Sequence, residues 1–417
     1  MNSLAYGALW IFVFAVPWER LAAVPGLAVV TRVTGAAALG LTLIAIVVSG
    51  RFRRWRLFHV AALLFVAWTG FGIVLLDLSG IGPGGAPLKF WTFVQRFLVL
   101  WMVWELASTA RQWRGLLKAY VFGACVPAIA TILLYVETSG SLNRFSAGGA
   151  DANNLAMTLA LALPMAWYLS LTSKGTIAPW LYRAYVPLCM LASTLTGSRG
   201  GMLTMIVALL VIPMTLSLSP GRLAAAVAML GLSGTLAVTY VPQQVVERLG
   251  TTSTAVEDAS LGGRLTLWQA GLRAFAREPI WGHGVGAFVP AVLPELGPNA
   301  KVAHNSFISV AVEEGLIGLV LFITMLLSVF LALRRLPRLE RRFGMVLFAT
   351  LMIAMSPLTW EDNKVLWLIL AILTGMSALW QTDAHRARYP LRGSVRSERI
   401  PVAARSQQEM TRLWPSP

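Results

Sequence analysis

Runs of about 20 apolar residues recur along most of this chain, and that recurrence limits what it can fold into more than any other feature. A polypeptide crossing hydrocarbon finds no water for its backbone, so it must satisfy its own N–H and C=O groups, which a helix does. Crossing takes about 17 to 25 mostly apolar residues. Twelve such segments are expected, centred near Phe12, Leu41, Thr69, Leu100, Gly123, Leu161, Cys189, Val207, Met229, Leu319, Leu351 and Leu370. Composition agrees: 57% of the 417 residues are hydrophobic, 12% are charged, and the mean hydropathy is +0.69, against about 25% charged in soluble domains. The expected fold class is all-α, a polytopic membrane bundle of about 12 transmembrane helices. A single bundle is expected over residues 1–380, with a basic, Arg-rich tail over 381–417 too polar to bury a core and read as disordered.

Cation placement orients the chain, because short cytoplasmic loops retain Lys and Arg. With the N-terminus inside, inner connections hold fifteen cations and the tail seven, so 22 of the 34 Lys and Arg fall inside, eleven outside, and Arg96 within a span. Both termini are then cytoplasmic. The net charge of +16 follows from this asymmetry and from attraction to anionic lipids, so nucleic acid is not an expected partner. The first apolar run lacks a basic leading region and a small-residue cleavage pattern, and reads as a span. Cys125 and Cys189 lie in separate apolar segments, which points to packing.

One connection is long. Residues 241–303, on the outer side, carry five cations, five acidic residues and many Gly and Pro, and loops of that length inside compact proteins are usually functional. Leu265, Trp268, Leu272 and Phe275 recur at helical spacing up to Pro279, which predicts an amphipathic helix on the bundle or membrane surface. The following Trp281-Gly282-His283-Gly284-Val285-Gly286 reads as a turn between two loop helices, its glycines permitting tight backbone turns. Four histidines exist: His59 near the inner face, His385 in the tail, and His283 and His304 outside. Without HExxH, a Walker loop or a paired-aspartate motif, metal and nucleotide chemistry are not expected.

His304 precedes a long apolar helix, whose positive dipole end disfavours imidazolium. A neutral imidazole suits a general base; the same position suits a histidine that caps the helix. Arg199 sits in a short outer turn, Thr196-Gly197-Ser198-Arg199-Gly200-Gly201. Arg264 opens the loop helix, where pairing with Glu257 or Asp258 is the alternative. Arg96 lies about two turns inside the fourth span, where it either snorkels or faces a cavity. Arginine's planar fork binds phosphate oxygens bidentately, so such residues on one cavity would suit a pyrophosphate. Glu313 and Glu314 lie more than two turns beyond His304, too far for direct contact.

In order, Asp151-Ala-Asn153-Asn-Leu-Ala, Ser198-Arg199-Gly, Gly263-Arg264-Leu-Thr-Leu-Trp268, Pro279-Ile-Trp-Gly282-His-Gly284-Val-Gly286 and His304-Asn305-Ser306 followed by Glu314-Gly315-Leu-Ile-Gly318 resemble the O-antigen ligase and polymerase superfamily. The resemblance covers about residues 140–320. It implies a metal-independent, inverting membrane glycosyltransferase of the GT-C type needing no cofactor. The implied donor is an O-antigen glycan on undecaprenyl pyrophosphate and the implied acceptor is lipid A-core, joined at the periplasmic face of the inner membrane. His304 matches the family's essential histidine, and Arg199 and Arg264 match arginines that hold donor pyrophosphate. Arg96, Asn305 and Asn153 are further candidates for substrate binding. Where the family often has Pro before this asparagine, the chain has Ala152.

Three alternatives share the residues. A polymerase would use the same donor and a second lipid-linked glycan. A lipid-linked glycan transporter would also use intramembrane arginines, although no repeat relates the two halves. A peptidoglycan polymerase of the shape-and-division type would rely on an outer-loop aspartate, for which Asp258 is the candidate.

Overall fold

The computed structural model describes residues 2–19, 21, 27–78, 85–215 and 263–388, with scattered positions between 224 and 247. The expected span at Met229, with Glu257, Asp258, Gly262 and the tail beyond Arg388, lies outside the described residues. Two compact units are Met1–Trp380 and Gln381–Pro417. The first is a helical bundle.

Among the described residues, nine α-helices run up to Thr215: α1 (Asn2–Ala15), α2 (Leu27–Ser49), α3 (Leu57–Leu78), α4 (Ala86–Leu106), α5 (Ala110–Glu137), α6 (Ala152–Thr172), α7 (Ile177–Leu195), α8 (Arg199–Leu209) and α9 (Val211–Thr215). Within the loop stand α10 (Arg264–Arg277) and α11 (Phe288–Leu296), followed by α12 (Ser306–Arg334), α13 (Arg338–Met355) and α14 (Lys364–Arg388). Eleven of the twelve expected centres fall on these helices. Among the described residues, only five stretches combine the length and hydropathy to cross a membrane: Val29–Ser49, Leu57–Val74, Ala110–Glu137, Ala152–Thr172 and Ser306–Arg334. Three shorter apolar stretches, Asn2–Trp18, Arg199–Thr215 and Lys364–Trp380, accompany them.

Helix α6 is the central post, with all but a few of its side chains buried among α5, α7, α8 and α13. Residues 365–376 of α14 are buried almost without interruption. Trp113 of α5 donates from Nε1 to the Ile372 carbonyl at 2.9 Å, which satisfies this buried indole N–H.

The loop helix differs from expectation in its buried face. Leu272, placed on the apolar stripe, is 54% exposed, whereas Leu267, Ala270, Gly271 and Ala274 are buried. Small residues win because α10 packs closely on α11 and α12: a Cβ on Gly271 would meet Ile308 and Phe288 at 3.0 and 3.1 Å.

Helix α12 is broken at Gly315, with φ 64° and ψ −166°, a region open essentially to glycine alone. The break orphans backbone groups, and the segment between α10 and α11 takes them up. His283 N–H donates to the Val312 carbonyl, Gly284 N–H to that of Glu313, and Leu316 N–H to that of Pro279, all at 2.8 Å. Trp68 of α3 donates from Nε1 to the Glu314 carbonyl at 2.9 Å. The Trp281–Gly286 turn therefore joins two loop helices, as expected, and also splints a break in α12.

Candidate functional site

Four helix N-termini meet at one end of the bundle, each begun by a residue suited to start a helix. Asp151 caps α6, its Oδ1 accepting from Asn154 N–H at 2.8 Å. Ser198 caps α8, its Oγ accepting from Gly201 N–H at 3.0 Å. Gly263, in the left-handed conformation at φ 80°, precedes α10. Asn305 caps α12, its Oδ1 accepting from Phe307 and Ile308 N–H at 2.9 and 3.1 Å. Arg199 and Arg264 are the first residues of α8 and α10, and His304 immediately precedes the Asn305 cap. Positive dipole ends and guanidinium groups together favour an anion here.

Electrostatic coupling shows which of these residues lie close together. Burial lowers the pKa of Arg264, nearby Asp151 raises it, and Arg199 lowers it. Burial likewise pulls the His304 imidazole below its ordinary value, with Arg264 and Lys301 pushing the same way and Asp151 opposing. The folded protein thus favours the neutral ring. His304 also holds a positive φ of 47°, one of two such non-glycine residues described, and its N–H donates to Thr359 Oγ1 at 3.0 Å. That bond ties the histidine to the 356–363 connection, where Trp360 donates from Nε1 to Asn154 Oδ1 at 2.6 Å. Trp268 of α10 donates to the Ala303 carbonyl at 3.0 Å, fixing the residue just before the histidine.

The structure thus brings together His304, Arg199, Arg264 and Asp151. The two asparagines serve the scaffold through their side-chain carbonyls. Asn305 Oδ1 is the helix cap described above, and Asn153 Oδ1 accepts from Arg144 Nη2 at 3.1 Å and Ser198 Oγ at 2.8 Å. Arg96 stands in a separate wall, its Nε donating to the Asp362 carbonyl at 2.8 Å. Among the described residues no three His, Cys, Asp or Glu side chains are grouped as a metal ion would need.

Behind the cluster lies a buried charge network that sequence reasoning missed. Lys89 Nζ of α4 pairs with Glu313 Oε2 at 2.6 Å and Glu361 Oε1 at 3.0 Å. Glu313 also accepts from Gly286 and Phe288 N–H at 2.8 and 3.4 Å, and Ser309 Oγ donates to Glu361 at 2.8 Å. Burial pushes the Glu361 carboxyl up to about 7 against the pull of Lys89. Among the described residues its Oε2 has no hydrogen-bond partner. Lys89 lies in the first turn of α4, outside the depth at which a lone cation stands out, and its acidic partners, 224 and 272 residues away, carried no local signal.

The fold is that of a helical membrane protein, with a cationic cluster at one end of its bundle. Residues 184–323 match the family model for O-antigen ligase, a stretch that includes Arg199, Arg264, His304 and Asn305. The match covers about a third of the chain and makes that stretch similar to the O-antigen ligase family. No curated protein matches the chain.

Proposed function

We propose that the protein is an O-antigen ligase: a metal-independent, inverting glycosyltransferase that moves O-antigen from undecaprenyl pyrophosphate to lipid A-core at the periplasmic face of the inner membrane. The observation carrying this reading is the placement of His304 within electrostatic reach of Arg264, itself beside Arg199, where four helix N-termini meet.

The donor is activated by its pyrophosphate, so the chain supplies position, charge and a base. Neutral His304 takes the proton of an acceptor hydroxyl as its oxygen attacks the anomeric carbon from the face opposite the leaving group. The bond to pyrophosphate oxygen breaks as the new glycosidic bond forms. The electron pair leaves with undecaprenyl pyrophosphate, whose charge Arg199 and Arg264 neutralise through bidentate contacts. The charge of Asp151 offsets the effect of Arg264 on the imidazole.

Purified protein in liposomes with lipid-linked O-antigen and lipid A-core tests this directly. Wild type should form glycan-capped lipid A-core without nucleotide or added metal. Extension of lipid-linked glycan instead of capping would make it a polymerase. Movement of the donor across the bilayer without transfer would make it a transporter.

A further inference from the structure

The connection between α13 and α14, residues 356–363, touches three of the four helix starts that carry the site. At α12, His304 N–H donates to Thr359 Oγ1 at 3.0 Å. At α6, Trp360 donates from Nε1 to Asn154 Oδ1 at 2.6 Å, and Asn154 donates from its backbone and its amide to Asp151 Oδ1 at 2.8 and 3.0 Å. At α8, Pro357 lies against Gly200, where an added Cβ would meet it at 3.1 Å. The three helix starts are far apart in sequence, so this one stretch of chain sets them relative to one another.

The connection is itself fixed. Ser306 of α12 is fully buried, and its hydroxyl serves both neighbours of Thr359, donating to the Leu358 carbonyl at 2.9 Å and accepting from Trp360 N–H at 2.8 Å. One turn further along α12, Ser309 donates to Glu361, which also pairs with Lys89. Thr359 is thus presented to His304 from a clamped backbone. The demand there is high, because His304 holds φ 47°, a conformation that a non-glycine residue keeps only when its surroundings over-determine it. The rotamers open to its imidazole follow from that backbone.

We propose that Thr359 is a positioning residue of the transferase: by accepting the His304 N–H it holds that backbone left-handed and aims the imidazole at the acceptor hydroxyl, with Ser306 fixing Thr359 in turn. This rests on the reading of His304 as the base. It also gives a part in the chemistry to a segment beyond residues 184–323, the stretch that matches the family model.

The test is steady-state transfer by the full chain in liposomes with lipid-linked O-antigen and lipid A-core. Thr359→Val keeps the shape but cannot accept the bond, and kcat should fall about 10- to 100-fold, the scale of a misplacement of about 1 Å. KM for both substrates should stay within about threefold. Thr359→Ser restores the hydroxyl and should bring kcat back to within about threefold of wild type. The deciding measurement repeats Thr359→Val in a His304→Asn background, which has no imidazole to aim. Residual transfer should then fall less than about twofold, because residues that act as a unit are not additive. If Thr359→Val does not fold, the same two-background comparison is made with Ser306→Ala, which should lower kcat only where His304 is present. A loss of equal size in both backgrounds marks a merely structural hydroxyl and overturns the proposal. So does full kcat in Thr359→Val, a Thr359→Ser enzyme as slow as Thr359→Val, or a loss confined to donor KM. Transfer that His304→Asn leaves intact defeats the reading of His304 as base, a result distinct from transfer that needs His304 and ignores Thr359.

Discussion

At the residue scale, His304 combines a chemical and a conformational demand, and the two can be separated. Its φ of 47° is tolerated better by Asn than by Ala. His304→Asn should therefore keep the fold while lowering transfer by about 10² to 10⁴, the contribution of a general base; radiolabelled glycan transfer, with thermal melting as the check on folding, measures both. The pH profile separates base from cap. A base works only when neutral, so activity should fall as pH drops through the histidine's pKa, placed below its ordinary value by burial and by Arg264. Arg264→Gln removes a cation and should move this acid limb of kcat/KM to higher pH, while Asp151→Asn should move it lower. A purely capping histidine would leave the limb in place. Of this site, the three principal side chains were legible because each sits where a polar loop meets a helix start. The bonds of Asn153 to Arg144 and Ser198, and the company kept by Lys89, were not, because they depend on contacts between separate segments.

At the element scale, the break in α12 and the loop that splints it form one device, in which two glycines face each other's backbone. A Cβ on Gly315 would stand 2.3 Å from the Ile280 carbonyl oxygen, and one on Gly282 would stand 2.4 Å from that of Glu313. Both also have positive φ. Gly315→Ala or Gly282→Ala should therefore cost more than about 4 kcal/mol, in the range where a backbone mechanism must be at work. Gly175→Ala, also at positive φ but with nothing within 4 Å, should cost about 1–2 kcal/mol. Denaturation midpoints in detergent would rank the three, and equal losses would refute the splint. The break also carries Glu313 to Lys89, whose side chain is 17% exposed against 5% and 1% for Glu313 and Glu361. Lys89→Met strands two buried carboxylates and should cost about 3–5 kcal/mol. Adding Glu361→Gln should recover part of that loss, a coupling the same denaturation series would read as non-additivity.

For the whole molecule, hydrophobic run length located helices well because each spanning segment must close its own hydrogen bonds. It fared less well at deciding which helices cross, since α4 and α13 carry charges that their neighbours must bury or leave at an end. Within α4, Lys89 and Arg96 are held by partners from α12 and the 356–363 connection, a compensation that hydropathy along the chain does not see. Orientation is a further property of the whole, and the cation asymmetry argues it: placing the N-terminus inside puts the 173–176 connection, Arg338, Arg341 and Arg342 in the cytoplasm, and the His304 site on the opposite side. The ends of α6 provide the test, because its 21 residues span about 30 Å at 1.5 Å per residue. In a background with Cys125 and Cys189 replaced by Ala, single cysteines at exposed Ser141, Asn299, Thr176 and Arg342 would be probed with a membrane-impermeant thiol reagent. Ser141→Cys and Asn299→Cys should be labelled in cells with only the outer membrane opened. Thr176→Cys and Arg342→Cys should be labelled only after the inner membrane is breached. The reverse pattern would put His304 in the cytoplasm, where a periplasmic acceptor could not reach it, and would end the ligase reading regardless of how well the site binds pyrophosphate.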